Sequence, residues 1–184
     1  MWRSICKLIL KIIGWKTVNG VVPSKKGIII GVPHTSGWDF VLSYLFYTSV
    51  GGVAHTMIKK EFFFWPLGSI LKKMGGIPID RIRGASITKQ IIDEMNSRET
   101  MHLAITPEGT RRLTKKWKAG FHVIAKATGA SVYLGIFDFG RKEIGWVKPF
   151  ELTDDADADI RHIKAFYREY GALGRHPELF TAEE

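Results

Sequence analysis

Four short runs rich in β-branched residues recur along the chain: GIIIGV at 27–32, IPI at 77–79, HLAIT at 102–106 and SVYLGIF at 131–137. Runs this short and this apolar suit strands covered on both faces, as in a parallel sheet. Between them lie longer segments with helical spacing, at 37–50, 62–74, 85–97 and 118–129. A further strand is expected at 53–58 and a last helix at 155–172. This alternation predicts an α/β fold with a largely parallel central sheet and helices on both faces. Segments 131–139 and 143–148, joined by Gly140-Arg141-Lys142, are expected to add a hairpin at one edge.

No repeat or low-complexity linker divides the sequence, and 184 residues suffice for one hydrophobic core without disulfides. We therefore read a single domain at 17–173, preceded by a helix at 1–16 and followed by a tail at 174–184. The single cysteine, Cys6, excludes an internal disulfide and a Cys-rich metal site, and is compatible with a reducing cytoplasm. The formal charge of +9 favours an anionic partner, which nucleic acid, a phospholipid surface or a phosphorylated substrate would satisfy.

The N-terminal stretch MWRSICKLILKIIGWK places Arg3, Lys7 and Lys11 along one side of a helix and Ile5, Leu8, Ile9, Ile12 and Ile13 on the others. A membrane span needs roughly 20 largely apolar residues, which Lys11 interrupts, and no small-residue cleavage site follows. An amphipathic helix lying in a membrane interface is expected, with Trp2 and Trp15 as anchors. Packing of the same helix on the protein's own core is the other reading.

In open α/β sheets ligands bind beyond the carboxyl ends of the strands. Three polar clusters fall there. In PHTSGWDF, Ser36 and Asp39 have the spacing of a helix start, which brings His34 close to Asp39. An imidazole can take a proton from a hydroxyl while a carboxylate on its other nitrogen fixes the tautomer and supports the imidazolium. In GGIPIDR, the glycines permit a tight reversal and Arg81 offers a planar fork suited to phosphate. In TPEGTRR, the turn at Glu108-Gly109 can aim backbone N–H groups and the Thr110 hydroxyl at an anion, with Arg111 supplying charge. Taken one at a time, each cluster also fits a bland structural role.

Together, PHTSGWD, GGIPIDR and PEGTR resemble, in order and spacing, the first three motifs of the glycerolipid acyltransferases, the family that includes lysophosphatidic-acid acyltransferases. The resemblance implies His34 as general base, Asp39 as its partner, Arg81 as phosphate ligand, and Glu108, Gly109, Thr110 and Arg111 in acceptor binding. It implies an acyl-CoA or acyl carrier protein donor as co-substrate, a lyso-lipid acceptor, and no metal or other cofactor. Thr106 and Arg112 depart from the commoner residues at their places, and the strand Val132-Tyr133-Leu134-Gly135-Ile136 lacks the proline usual in the fourth motif. The acceptor is accordingly left open.

The expected reaction is direct transfer, with the acceptor hydroxyl attacking the thioester and no acyl-enzyme. Cys6 and Ser36 are not read as nucleophiles. The expected location is cytoplasmic, peripheral on the inner face of the cell membrane and held by anionic lipids. The basic run RRLTKKWK at 111–118 suits donor phosphates, an acidic carrier or lipid headgroups. The aromatic run FFFW at 62–65 suits an acyl groove, a membrane interface or core packing. His55, His102, His122, His162 and His176 have no partner at a catalytic or metal spacing and are read as structural. Two competing functions remain at this stage: a thioesterase in which the His-Asp pair activates water, and a basic nucleic-acid binder, although no recognisable nucleic-acid module is present.

Overall fold

The computed structural model describes residues 1–80 and 84–183. Its seven strands form one sheet: β1 (Lys16–Val18), β2 (Lys26–Val32), β3 (Ala54–Lys59), β4 (Gly76–Ile79), β5 (Met101–Ile105), β6 (Ser131–Asp138) and β7 (Glu143–Phe150). The order across the sheet is β1-β7-β6-β2-β5-β3-β4. Every neighbouring pair is parallel except β6 with β7. Six α-helices accompany the strands: α1 (Trp2–Ile12), α2 (Trp38–Ser49), α3 (Leu67–Lys73), α4 (Gly84–Asn96), α5 (Gly120–Thr128) and α6 (Ala156–Tyr170).

Side-chain alternation along the central strand explains why both faces are covered. Ile28, Ile30 and Val32 join one apolar cluster with Ile91 and Met95 of α4, Phe121 and Ile124 of α5, and Ile160, Ile163 and Tyr167 of α6. Ile29 points the other way, into a cluster with Cys6 and Leu10 of α1 and Leu42, Leu45, Phe46 and Tyr47 of α2. Gly31 faces that second side, where a Cβ would stand 2.6 Å from the Phe137 ring, so only glycine leaves room for this packing.

Three details differ from the sequence expectations. The N-terminal helix expected at 1–16 ends at Ile12, and Lys16 opens β1. The hairpin β6–β7 forms, but β7 is not the edge, because β1 pairs outside it with Lys16 opposite Glu143. The expected helix at 62–74 is divided into a 3-10 turn at Lys60–Phe62 and the shorter α3, with Pro66 as the residue just before α3. A proline lacks the N–H that a continuous helix would need there, and it disfavours helical geometry at Trp65.

Helix α1 rests on α2 through Cys6 and Leu10, and Arg3 Nε donates to the Ser49 carbonyl at 3.1 Å. Ile5, Leu8 and Ile12 remain exposed. No helix among the described residues is long and apolar enough to cross a membrane.

Candidate active site

In the parallel register of β2 and β5 the last residue of β5, Ile105, lies opposite Ile30, two residues before β2 ends, so both strands open on the same edge of the sheet and their loops are neighbours. His34 lies just past the end of β2 and Glu108 just past the end of β5. Their loops meet directly, the His34 backbone N–H donating to Glu108 Oε1 at 2.8 Å. Arg81, which follows β4, lies outside the described residues.

His34 and Asp39 are in contact, with Nδ1 2.9 Å from Oδ2. Helix α2 starts at Trp38, so Asp39 occupies its first turn, where the helix end favours a negative charge. The turn is held reciprocally: Ser36 N donates to Asp39 Oδ2 at 3.0 Å, and Trp38 N donates to Ser36 Oγ at 3.3 Å. Asp39 is 1% exposed and His34 23%. With the Asp39 carboxylate oxygen as acceptor, Nδ1 carries the proton and Nε2 is left as the basic nitrogen of a ring that is partly exposed. A hydroxyl reaching Nε2 would therefore meet a nitrogen whose ring is already fixed in tautomer and orientation.

Glu108 is 3% exposed and is turned inward behind the His34 loop. Burial pushes its carboxyl up from 4.5 to about 7; the His34 N–H opposes that rise and the nearby Asp39 charge adds to it. Its placement makes Glu108 a support for the loop that carries His34. Gly109 has φ +64, a left-handed backbone conformation that favours glycine in this turn. Thr110 Oγ1 accepts from Arg112 N at 3.2 Å. Arg111 is exposed and reaches back to the His34 loop: a Cβ added at Gly37 would lie 3.2 Å from its Nη1.

A second support comes from α6. The Tyr167 hydroxyl, fully buried, lies 2.9 Å from the Ile30 carbonyl and 2.7 Å from the Gly135 carbonyl, and donates its one proton between them. It thereby ties β2 to β6 just below the His34 loop, at the bulge where the β6–β7 register shifts.

The segment after α6 reaches the same neighbourhood. Gly174 packs on Thr35 and Pro33, His176 N donates to Thr35 Oγ1 at 3.2 Å, and the Arg175 guanidinium lies over the Trp38 ring, 5.6 Å from its centroid. Nothing in the sequence points to these residues, which are separated from the loop by almost the whole chain and carry no motif.

Other histidines have local partners. His102 Nδ1 meets the Tyr47 hydroxyl at 2.7 Å, and His122 of α5 lies 3.3 Å from Asp159 of α6. No group of three or more His, Cys, Asp or Glu able to hold a metal occurs among the described residues. A groove of about 650 Å³, lined by Arg3, Lys7, Lys11, Trp15 and Lys16, contains none of the motif residues. Phe62, Phe64 and Trp65 stand exposed in the loop after β3, on the same rim of the sheet as His34, so they are not core.

A family model described as acyltransferase matches residues 16–134, well over half of the chain and all three clusters. The chain belongs to the acyltransferase family. The fold of this acyltransferase is similar to the crystal structure of the 1-acyl-sn-glycerophosphate (LPA) acyltransferase PlsC from Thermotoga maritima, with a TM-score of 0.61 at 15% identity. That similarity covers 94% of this chain and 79% of the other. No curated protein sequence matches the acyltransferase.

Proposed function

We propose that this acyltransferase is an O-acyltransferase of the phospholipid type. It moves a fatty acyl group from acyl-CoA or acyl carrier protein to the hydroxyl of a lyso-lipid such as 1-acylglycerol-3-phosphate. The observation that carries this reading is the His34–Asp39 contact just past a strand end, through Nδ1 of a partly exposed ring, which leaves Nε2 to act as the base. Such a pair serves a substrate hydroxyl directly. As the alcohol oxygen attacks the thioester carbonyl, its proton passes to Nε2, Asp39 stabilises the resulting imidazolium, and the thiolate of the donor leaves and is reprotonated. Backbone N–H groups at the start of α2 are the nearest donors for the oxyanion.

Arg81, Glu108, Gly109, Thr110 and Arg111 form the acceptor side of this proposal, with Glu108 acting through the loop it holds. Exposed Phe62, Phe64 and Trp65 on the same rim support an aliphatic substrate presented from a membrane surface. The apolar strip Ile5, Leu8 and Ile12 beside Arg3, Lys7 and Lys11 supports a peripheral position on anionic lipid, at the cytoplasmic face of the cell membrane.

The test is product analysis by mass spectrometry after incubating the purified protein with an acyl thioester and 1-acylglycerol-3-phosphate. A diacyl product is expected. Free fatty acid formed at the same rate with or without the acceptor would instead assign a thioesterase.

A further inference from the structure

Among the described residues, two guanidiniums flank the His34 loop, and one of them, Arg175, lies outside the sequence motifs. Arg111 approaches from the β5 side and lies against Gly37. Arg175 comes from the opposite end of the chain and lies over the Trp38 ring. Each is exposed, and neither has an acidic partner among the described residues.

Arg175 is not a freely dangling side chain. Its neighbours on both sides are fixed to Thr35: Gly174 packs against that side chain so closely that a Cβ would stand 2.6 Å from Thr35 Oγ1, and the His176 N–H donates to the same oxygen. Thr35 itself is buried and follows His34 directly. Trp38, 53% exposed, offers its ring face as a platform for the guanidinium, a contact that does not use up the guanidinium's N–H donors. The two guanidiniums are held against consecutive residues of one turn, Gly37 and Trp38, and an anion reaching both would be favoured by each charge.

We propose that Arg175 and Arg111 form the two sides of a phosphate clamp at the mouth of the His34 site, with Trp38 orienting Arg175. The ligand is a phosphate-bearing substrate, either the phosphomonoester headgroup of the acceptor or the phosphates of a CoA donor. Its identity as a substrate rests on the acyl-transfer reading above, but the binding itself does not.

The test measures binding first. Calorimetry at low salt compares CoA with pantetheine and glycerol 3-phosphate with glycerol, using the full chain and its Arg175→Ala, Arg175→Lys, Trp38→Ala and Trp38→Phe variants. In the intact protein the phosphate-bearing member of a pair is expected to bind more tightly. Arg175→Ala and Trp38→Ala are each expected to reduce that preference by ~10-fold or more, while Arg175→Lys and Trp38→Phe retain part of it. Loss confined to the CoA pair assigns the donor phosphates, and loss confined to the glycerol pair assigns the acceptor headgroup. Where acyl transfer is detected, the kcat/KM ratio of lysophosphatidate to monoacylglycerol, or of acyl-CoA to acyl-pantetheine, falls by the same factor.

Equal weakening of phosphate-bearing and phosphate-free ligands, or no phosphate preference in the intact protein, would overturn the clamp. If Arg175→Ala fails to fold, Arg175→Lys decides: unfolding there too makes the residue structural and also overturns it. Phosphate binding that depends on Arg175 without any acyl transfer would defeat the acyltransferase substrate assignment and leave the clamp standing.

Discussion

Replacing Glu108 with glutamine removes a buried charge without removing the hydrogen bond that Glu108 accepts from His34, because the amide oxygen can take the place of Oε1. The wild-type carboxyl sits at about 7 in the folded protein against an ordinary 4.5, burial being the main cause. A carboxyl raised by that much carries about 3 kcal/mol of pH-dependent stability. The sign follows from which state holds the proton. Below about pH 4.5 both states are protonated and the contribution is full. As pH rises toward 7 the unfolded chain releases its proton while the folded chain retains it, so stability falls, and above about 7 the loss is complete. The glutamine amide does not titrate and escapes this loss. Glu108→Gln is therefore expected to gain up to about 3 kcal/mol over wild type between pH 5 and pH 8, equivalent to ~6–12 °C in melting temperature for a chain of this size. Urea unfolding followed by tryptophan fluorescence at pH 5, 6, 7 and 8 measures it. Wild-type and variant stabilities that run parallel across this range would refute the raised carboxyl and the burial argument behind it.

Two further changes probe the supports of the base. Asp39→Asn can no longer enforce the Nδ1–H tautomer that leaves Nε2 basic, so kcat is expected to fall by ~100-fold or more while the circular dichroism spectrum is kept; activity within a few-fold of wild type would remove Asp39 from the mechanism. Tyr167→Phe leaves the Ile30 and Gly135 carbonyls without their donor, and a loss of ~1–3 kcal/mol in urea unfolding is expected. An unchanged midpoint would mean that this buried hydroxyl does not brace the strands.

The layered α/β plan was legible because a parallel sheet covered on both faces forces its strands to be short and apolar, and GIIIGV and SVYLGIF carry that mark openly. β1 carried no such mark. Its three residues, Lys16, Thr17 and Val18, lie at the sheet edge with one polar and one charged side chain, and only their pairing with β7 defines them as a strand. The same distinction holds at the candidate site. His34 and Asp39 are separated by a single turn entering a helix, so local geometry alone predicted their contact. The role of Glu108 as a support for the His34 backbone depends on the register between β2 and β5, and the position of Arg175 over Trp38 depends on how the segment after α6 returns across the sheet. Sequence spacing contains neither relation. Phe62, Phe64 and Trp65 illustrate a third limit: a run of aromatics reads equally as core or surface until the loop that carries them is located.

The most direct measurement is the rate at which purified wild-type protein and its His34→Ala variant form diacyl lipid from an acyl thioester and a lyso-lipid. With His34 as the base, the variant is expected to be slower by ~100-fold or more at an unchanged melting temperature. A His34→Ala protein that still forms the diacyl product at close to the wild-type rate would contradict the account at its centre.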